Sequence, residues 1–281
     1  MLLTCAALWA TNSLFAQTTP IGKMETKFTK WVQGATLNTK SDEIFQCQSE
    51  GYCRVFNLKD PKEQKAGFQL LPDDVNLHCN FVFFSPKKKK GDDYPILWYG
   101  ADWGKYEVYG SRIQRKGDSY TCELKHTIQI PTSSGYFTDF MADFKHNIGY
   151  VASYTQSSWK KEQNNEVKIS AYKIPFDNLP EFFKPETAEF EFTLPFIPAM
   201  QDCVFHKGKL YIMFGLGGKR PTEATIMCVD PKQKKLINKF DVRRFVPKTE
   251  EPEGFFIKGR KVYITTSQKN IYAFPVKELK K

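Results

Sequence analysis

The sequence of 281 residues is poor in the features that mark metal centres, common hydrolases and membrane spans. Its four histidines show no ligand spacing and its seven cysteines form no CxxC pair, so we expect neither a metal nor another cofactor. GxSxG and HExxH motifs are missing as well. Beyond the first sixteen residues, no apolar run approaches the roughly 20 residues of a membrane helix, and we expect no transmembrane segment.

The first sixteen residues, MLLTCAALWATNSLFA, carry no charge and end on a small residue. Such a segment is typical of a secretory signal cut before Gln17, although a basic start is missing. We therefore expect a protein exported to the periplasm or the extracellular space, with residues 17–281 forming one monomeric domain. A lipid anchor at Cys5, suggested by the LLTC stretch, is the alternative.

Removal of this signal would leave six cysteines, an even number in an oxidising compartment. One pairing is suggested locally, because a three-residue turn at 49–51 would place Cys47 opposite Cys53. A disulfide between them and two buried thiols on neighbouring strands are both compatible with the sequence.

Five segments of the chain repeat one pattern, in which a polar residue leads into a β-hairpin rich in aromatic and β-branched residues. The polar residues are Gln33, His78, Asp139, Gln201 and Glu253. Each hairpin is followed by a third extended stretch, and four of the five units add a fourth. Repeats of four antiparallel strands with little helical periodicity predict an all-β fold, a five-bladed β-propeller.

The predicted blades span about 32–72, 76–131, 135–195, 199–246 and 251–276. Because the last unit has only three strands, we predict that the N-terminal segment 24–31 supplies its fourth strand and closes the ring. A short helix is predicted at 176–185, as a connector inside the third blade.

Short motifs in the chain resemble those of one group of propellers. They are the Glu-Pro-Glu-Gly run at 251–254 before a hairpin, the Gln33-Gly34 start, and HCNFVFF followed by DDYPILWYG. These stretches look like the five-bladed propellers of the teichoic-acid-biosynthesis and phage-tail receptor-binding type, and like secreted bacterial relatives without a known activity. The resemblance covers most of residues 17–281 and implies blade construction rather than a reaction.

Strand order sorts the loops onto two faces of the disc. Loops between strands 1 and 2 and between strands 3 and 4 of each blade should emerge on one face, which we call the basic face. Its basic residues are Lys62, Lys65, Lys87, Lys88, Lys89, Lys90, Arg115, Lys116, Lys145, Lys207, Lys209, Lys232, Lys234, Lys235, Lys258, Arg260 and Lys261. With a net charge of +10, this face could dock an anionic partner, or its lysines could serve only solubility. Nucleic acid is not expected, because aromatic residues are not interleaved with the lysines.

The opposite face is predicted to hold a ligand site. The five polar residues that open the blades should ring the axis there, with Trp103, Trp159 and Tyr136 in the surrounding loops. A polar funnel with an aromatic rim is suited to a sugar, so we predict non-catalytic binding of a carbohydrate or a cell-envelope polymer. Alternatively, the ring only hydrogen-bonds neighbouring strands.

Two of the ring residues also allow catalysis. Asp139 and Glu253 could serve a glycoside hydrolase or lyase, provided that the two carboxyl groups lie about 5 Å apart, or farther apart for an inverting enzyme. Asp202 is expected to point away from the channel, because it follows Gln201 directly in a strand.

Overall fold

The computed structural model of the chain describes residues 19–25, 31–61, 64–71, 77–100, 105–157, 160, 163–218 and 221–280. Its strands form five sheets, one for each predicted blade. The fold is therefore an all-β, five-bladed β-propeller, as the repeats predicted. The segment 1–16, predicted to be a signal, lies outside the described residues.

The strands are numbered in chain order, and β1 (Gly22–Lys23) belongs to the last blade. The first blade contains β2 (Val32–Asn38), β3 (Glu43–Gln48), β4 (Tyr52–Asn57) and β5 (Gln64–Gln69). The second contains β6 (Phe81–Phe84), β7 (Leu97–Gly100), β8 (Glu107–Lys116) and β9 (Ser119–Gln129).

The third blade contains β10 (Tyr136–Asp143), β11 (Ile148–Tyr154), β12 (Glu166–Lys173) and, after the short strand β13 (Phe182–Phe183), β14 (Phe190–Pro195). The fourth contains β15 (Met200–His206), β16 (Lys209–Phe214), β17 (Thr225–Asp230) and β18 (Lys235–Asp241). The fifth contains β19 (Pro252–Lys258), β20 (Lys261–Thr266) and β21 (Asn270–Pro275).

The segment 176–185 differs from the predicted helix. A single 3-10 turn at Phe176–Asn178 is followed by β13, which pairs in parallel with β9 and adds a fifth strand to the second blade. Pro180 explains why the helix does not continue, since proline lacks an N–H and favours an extended residue before it. Leu179, the preceding residue, is indeed extended. This segment therefore ties the third blade to the outer edge of the second.

The N-terminal segment closes the ring. Strand β1 pairs with β21, Gly22 opposite Ile271 and Lys23 opposite Asn270, so the last blade gains its fourth strand from the other end of the chain. The pairing strand lies just before the predicted segment 24–31, of which residues 26–30 are outside the described part. Pairing of this kind covers an edge that would otherwise expose unpaired backbone groups.

Aromatic side chains fill the space between neighbouring blades, because each sheet presents apolar residues on both of its faces. Phe45 of the first blade meets Phe84 of the second edge-on, with ring centroids 4.9 Å apart. Phe240 and Phe274 stack at 5.1 Å between the fourth and fifth blades. The helical turns that the structure describes are short, and none has the length and apolar character needed to cross a membrane.

Candidate functional site: a polar cavity on the propeller axis

A cavity of about 520 Å³ lies on the axis where the innermost strands begin. We call it the upper cavity. Its lining residues come from all five blades and are Trp31, Val32, Gln33, His78, Asn80, Tyr136, Thr138, Tyr154, Ala199, Met200, Gln201, Leu216, Glu251, Glu253, Ser267 and Lys269. The volume falls within the range of about 300–1,000 Å³ found for small-molecule sites. Amide, hydroxyl and carboxyl groups and aromatic rings therefore meet in one concave space.

β-Bulges aim polar side chains into the upper cavity. The register of β2, β10, β15 and β19 with the adjacent strand shifts near the start of each. The residues at these shifts include Gln33, Thr138, Gln201 and Glu253, and all four line the cavity. A bulge leaves one residue unpaired and turns its side chain in a new direction. In four of the five blades, the same kind of bulge therefore directs a polar side chain into the cavity.

Asp139 does not line the upper cavity, contrary to the prediction. Thr138 stands in the third blade where Gln201 stands in the fourth, so Asp139 corresponds to Asp202. Alignment of the repeats had matched Asp139 with Gln201, one residue out of register. Since successive residues of a strand face opposite sides, that single step removes the Asp139 side chain from the cavity.

The other four predicted ring residues line the upper cavity: Gln33, His78, Gln201 and Glu253. Tyr136, one of the predicted rim residues, lines it as well. The amide Nε2 of Gln201 donates to the Gly215 carbonyl at 3.1 Å and to the Glu251 carboxylate at 2.8 Å. Trp103 and Trp159 lie outside the described residues, so their place in the rim stays a prediction.

Several lining residues were not predicted, and two of them, Trp31 and Glu251, stand at a spacing that could have revealed them. Trp31, with a relative exposure of 78%, lies at the edge of the cavity but had been assigned to the closing segment. Glu251 also lines the cavity. Each stands two residues before a predicted site residue, Gln33 or Glu253, and residues two apart in an extended chain face the same side. That spacing was the signal that could have found them.

Several ionisable groups of the upper cavity have shifted pKa values. Burial raises the pKa of Glu253 well above its ordinary value, and the negative charge of Glu251 raises it further. Burial raises the pKa of Glu251 too, although the hydrogen bond from Gln201 opposes the shift. Burial lowers the pKa of His78 to about 4, so its imidazole is neutral at neutral pH. The cavity thus holds carboxyl groups that keep a proton more readily than a free glutamate does.

Asp202 closes the axis below the upper cavity. Its Oδ2 accepts hydrogen bonds from the N–H groups of Phe255 at 2.7 Å and Ala35 at 3.4 Å, and its Oδ1 accepts one from Cys203 at 2.7 Å. This one carboxyl group, which is fully buried, joins the fourth blade to the fifth and the first. As predicted, Asp202 does not line the upper cavity, but its carboxyl group lies within the bundle of innermost strands rather than away from them.

Asn80 also crosses the axis. Its Nδ2 donates to the carbonyl of Met200 at 3.2 Å, which connects the second blade with the fourth. Nearby, the N–H of Gly34 donates to the Cys79 carbonyl at 3.0 Å. A Cβ atom at Gly34 would lie 2.7 Å from the carbonyl oxygens of Cys79 and Asn80, so a side chain has no room there. The funnel is therefore a cavity with a floor at this level.

Asp139 is the second carboxyl group buried at the level of the floor. It is fully buried, and neither of its oxygens has a hydrogen-bond partner among the described residues. Burial raises the pKa of Asp139 to about 8. Its charge also contributes to the raised pKa of Asp202, for which burial is the larger cause. The structure thus does not bring Asp139 and Glu253 together in one cavity as a catalytic pair would require.

The basic face is partly neutralised by acidic neighbours. Lys258 is paired with Asp42, and Lys209 with Asp230. The four residues 87–90 are all exposed to solvent. Only part of the predicted positive surface is therefore available to an anionic partner.

Cys47 and Cys53 are direct cross-strand partners on β3 and β4. The predicted turn at 49–51 is present as a 3-10 turn, Ser49–Gly51. Both cysteines are free thiols, as are the other four cysteines of the described residues. Contact with the Cys53 thiol, together with burial, raises the pKa of Cys47. Of the two arrangements compatible with the sequence, the structure therefore shows two buried thiols on neighbouring strands and no disulfide between Cys47 and Cys53.

Comparisons with known proteins add little to this geometry. No family model matches the chain, and no curated protein matches it. Among solved structures it is similar to Sqt1 of Saccharomyces cerevisiae, with 8% identity and a TM-score of 0.39 over 85% of this chain and 56% of that one. It is also similar to the computationally designed Ika8 protein, with 9% identity and a TM-score of 0.38 over 91% and 99% of the two chains.

The chain thus spans little more than half the length of Sqt1. At such TM-scores neither structure bears on function or on a particular kind of propeller. The class of protein follows from the five sheets and their strand order, which define a five-bladed β-propeller with a polar cavity on its axis.

Proposed function

We propose that this protein is a non-catalytic binding protein that holds a carbohydrate, or a similar polar part of a cell-envelope polymer, in the upper cavity. The observation that carries the proposal is the convergence of bulged polar residues from four blades on one cavity of about 520 Å³. Amide and carboxyl groups can orient the hydroxyl groups of a sugar, while aromatic rings cover its apolar faces.

Gln33 supports this proposal most directly. Its side-chain Oε1 is buried and has no hydrogen-bond partner among the described residues, whereas its backbone carbonyl accepts a hydrogen bond from Gln46. A buried acceptor without a donor costs about 1–3 kcal/mol. Since Gln33 is part of the cavity wall, a ligand hydroxyl could supply the donor after a small rotation of the amide.

The test begins with a glycan array, followed by calorimetric titration of the strongest hit. We expect Trp31→Ala to weaken binding about three- to tenfold, because an aromatic contact contributes about 0.5–1.5 kcal/mol. The matched control is Phe182→Ala, which removes another exposed aromatic ring at the outer edge of the disc. If Trp31→Ala and Gln33→Ala bind the hit as tightly as the wild type, the site is not the upper cavity.

The predicted rim tryptophans are tested separately. Because Trp103 and Trp159 are placed in the rim by loop order alone, the double variant Trp103→Ala, Trp159→Ala should weaken binding further if they contact the ligand. Unchanged binding by this variant would remove both residues from the proposed site and leave the cavity residues in place.

Hydrolysis or elimination at a glycosidic bond is a second candidate, favoured by one observation. Glu251 and Glu253 lie in the same cavity and both have a raised pKa, as a general acid requires. Turnover on a panel of polysaccharides that is lost in Glu253→Gln and Glu251→Gln would support catalysis. Glycan binding without turnover by the wild type would leave only the binding function.

We also propose that the protein is exported and that its propeller is of the teichoic-acid-biosynthesis and phage-tail receptor-binding type. The uncharged segment 1–16 supports export, and the runs at 251–254 and Gln33-Gly34 support the type of propeller. The intact mass of the mature protein checks the first point: a chain that begins at Gln17 is expected. A cytoplasmic chain that retains residues 1–16 would contradict export.

A further inference from the structure

A second cavity lies on the axis at the basic face, where the innermost strands end. This lower cavity has a volume of about 440 Å³ and takes residues from all five blades. Among the described residues it shares no lining residue with the upper cavity. The axis-crossing hydrogen bonds of Asp202 and Asn80 explain the separation. The two ends of the axis are therefore distinct sites.

The walls of the lower cavity are aromatic. Five phenylalanines line it: Phe83, Phe84, Phe144, Phe205 and Phe256. All but Phe256 are only half-buried, although they belong to innermost strands or to the residues directly after them. Apolar surface left open in this way gains about 25 cal/mol for each Å² that a ligand covers. These rings thus favour a ligand with an apolar part.

His206 provides a polar anchor within these walls. It lines the lower cavity, and its Nε2 is buried without a hydrogen-bond partner among the described residues. Burial, together with the charge of Lys207, lowers the pKa of His206, so its imidazole is neutral at neutral pH. Because this nitrogen is covered by protein atoms, a small rotation of the ring is needed before it can bind a polar group of a ligand in the cavity.

The mouth of the lower cavity is positively charged. Lys40 and Lys145 line it and are exposed to solvent. An adjoining pocket shares Lys145 and Phe144 with the lower cavity and adds Lys87–Lys89 to the same side. The acidic Asp143 also lines the cavity, where it contacts the imidazole of His146, but the lysines outnumber it. An anionic group at the mouth would therefore meet an excess of positive charge.

We propose that the lower cavity binds an amphipathic monocarboxylate. Its apolar tail would lie among the phenylalanine rings, and its carboxylate would lie near Lys145 and Lys40. A hydrophilic polyanion would satisfy the lysines but leave the rings uncovered, whereas an uncharged apolar molecule would cover the rings but leave the lysines unused. This site does not depend on the proposed carbohydrate site, because the floor of the upper cavity separates the two.

The test is calorimetric titration of the full mature protein with decanoate, decanol and acetate. Decanoate should bind with a stoichiometry of one. Acetate lacks eight methylene groups and should bind at least about 100-fold more weakly, because each buried methylene contributes about 0.8 kcal/mol. Decanol, which lacks the charge, should bind about fivefold more weakly, as expected for one partly exposed ion pair. Equal affinities for decanol and decanoate would overturn the proposal, as would the absence of decanoate binding.

Variants with matched controls locate the binding. Lys145→Glu should weaken decanoate binding about fivefold or more, whereas Lys105→Glu, the same charge change at an exposed site between β7 and β8, should have no effect. His206→Phe keeps a ring of similar size and should weaken binding a few-fold. Gln201→Ala, in the upper cavity, should bind decanoate like the wild type. Equal losses in Lys145→Glu and Lys105→Glu would show non-specific charge attraction and overturn the site.

Discussion

Asp139 and Asp202 occupy equivalent positions in neighbouring blades, yet their surroundings differ. Each follows the bulged residue of its innermost strand, and each is fully buried. Asp202 accepts three backbone N–H groups, whereas the oxygens of Asp139 have no partner among the described residues. The repeat therefore sets the positions of the two carboxyl groups, and the hydrogen bonds available from neighbouring blades determine how each group affects the stability of the fold. The hydrogen bonds that Asp202 accepts stabilise the ring, whereas Asp139 makes none among the described residues and its ionisation should destabilise the fold.

The largest expected effect concerns the charge of Asp139. Its pKa is raised by burial from 3.8 to about 8. The folded protein therefore binds more protons than the unfolded chain between these values, and the free energy of unfolding should fall as the pH rises through this range. The fall approaches about 1.4 kcal/mol per pH unit. Asp139→Asn, which carries no charge, should be free of this contribution and clearly more stable than the wild type at pH 9.

The measurement is urea unfolding of the wild type and Asp139→Asn between pH 4 and pH 9. The comparison between the two proteins is needed because Asp202 and Glu253 also have raised pKa values and add to the pH dependence of both. Parallel stability curves for the two proteins would show that Asp139 does not titrate in this range.

Removal of the Asp202 carboxyl group should have the next largest effect. Asp202→Ala would leave three buried N–H groups without an acceptor, and we expect a loss of about 3–5 kcal/mol in the free energy of unfolding at pH 7. The control is the exposed Asp177, where Asp177→Ala should change stability by less than about 0.5 kcal/mol. A similar small change for both variants would contradict the role of Asp202 in joining three blades.

A smaller effect is expected at Gly254, which follows the bulged Glu253 as Asp202 follows Gln201. A Cβ atom there would lie 2.4 Å from the Cβ and 2.8 Å from the N of Ala35, the residue whose N–H binds Asp202. Gly254→Ala should therefore cost about 1–3 kcal/mol, measured by thermal unfolding. If this variant is as stable as the wild type, the first and fifth blades can move apart without a loss of stability. The distances of the Asp202 hydrogen bonds would then not depend on this close approach.

The smallest effect is expected at Thr138, the residue beside Asp139. Its Oγ1 donates to the Ala152 carbonyl at 3.0 Å. Thr138→Val keeps the shape of the side chain but removes this hydrogen bond, so stability should fall by about 0.5–1.5 kcal/mol. If instead Thr138→Val abolishes stable folding, the cavity wall is more important to the ring than the buried carboxyl groups below it.

Much of the candidate site could be predicted from single residues. Gln33, Gln201 and Glu253 were correctly placed in the cavity wall because a polar residue before an apolar strand has few places to lie except at the strand's open end. Asp139 was misplaced because the sequence shows neither the bulge nor its position, and either of two adjacent residues could face the cavity. Trp31 was missed because it was read as part of the closing segment.

Three properties could be predicted from the sequence alone: the number of blades, the four-stranded hairpin pattern and the closure of the ring by the N-terminal segment. The first two properties depend on local alternation and on turns, which short stretches of chain encode, and the closure follows from the missing fourth strand of the last unit. The contacts that cross the axis, by contrast, depend on how the five blades pack together. Asp202 meets Ala35 across 167 positions of sequence and Phe255 across 53. Such contacts arise because five innermost strands share one narrow space, where a glycine in one blade leaves room for the backbone of the next.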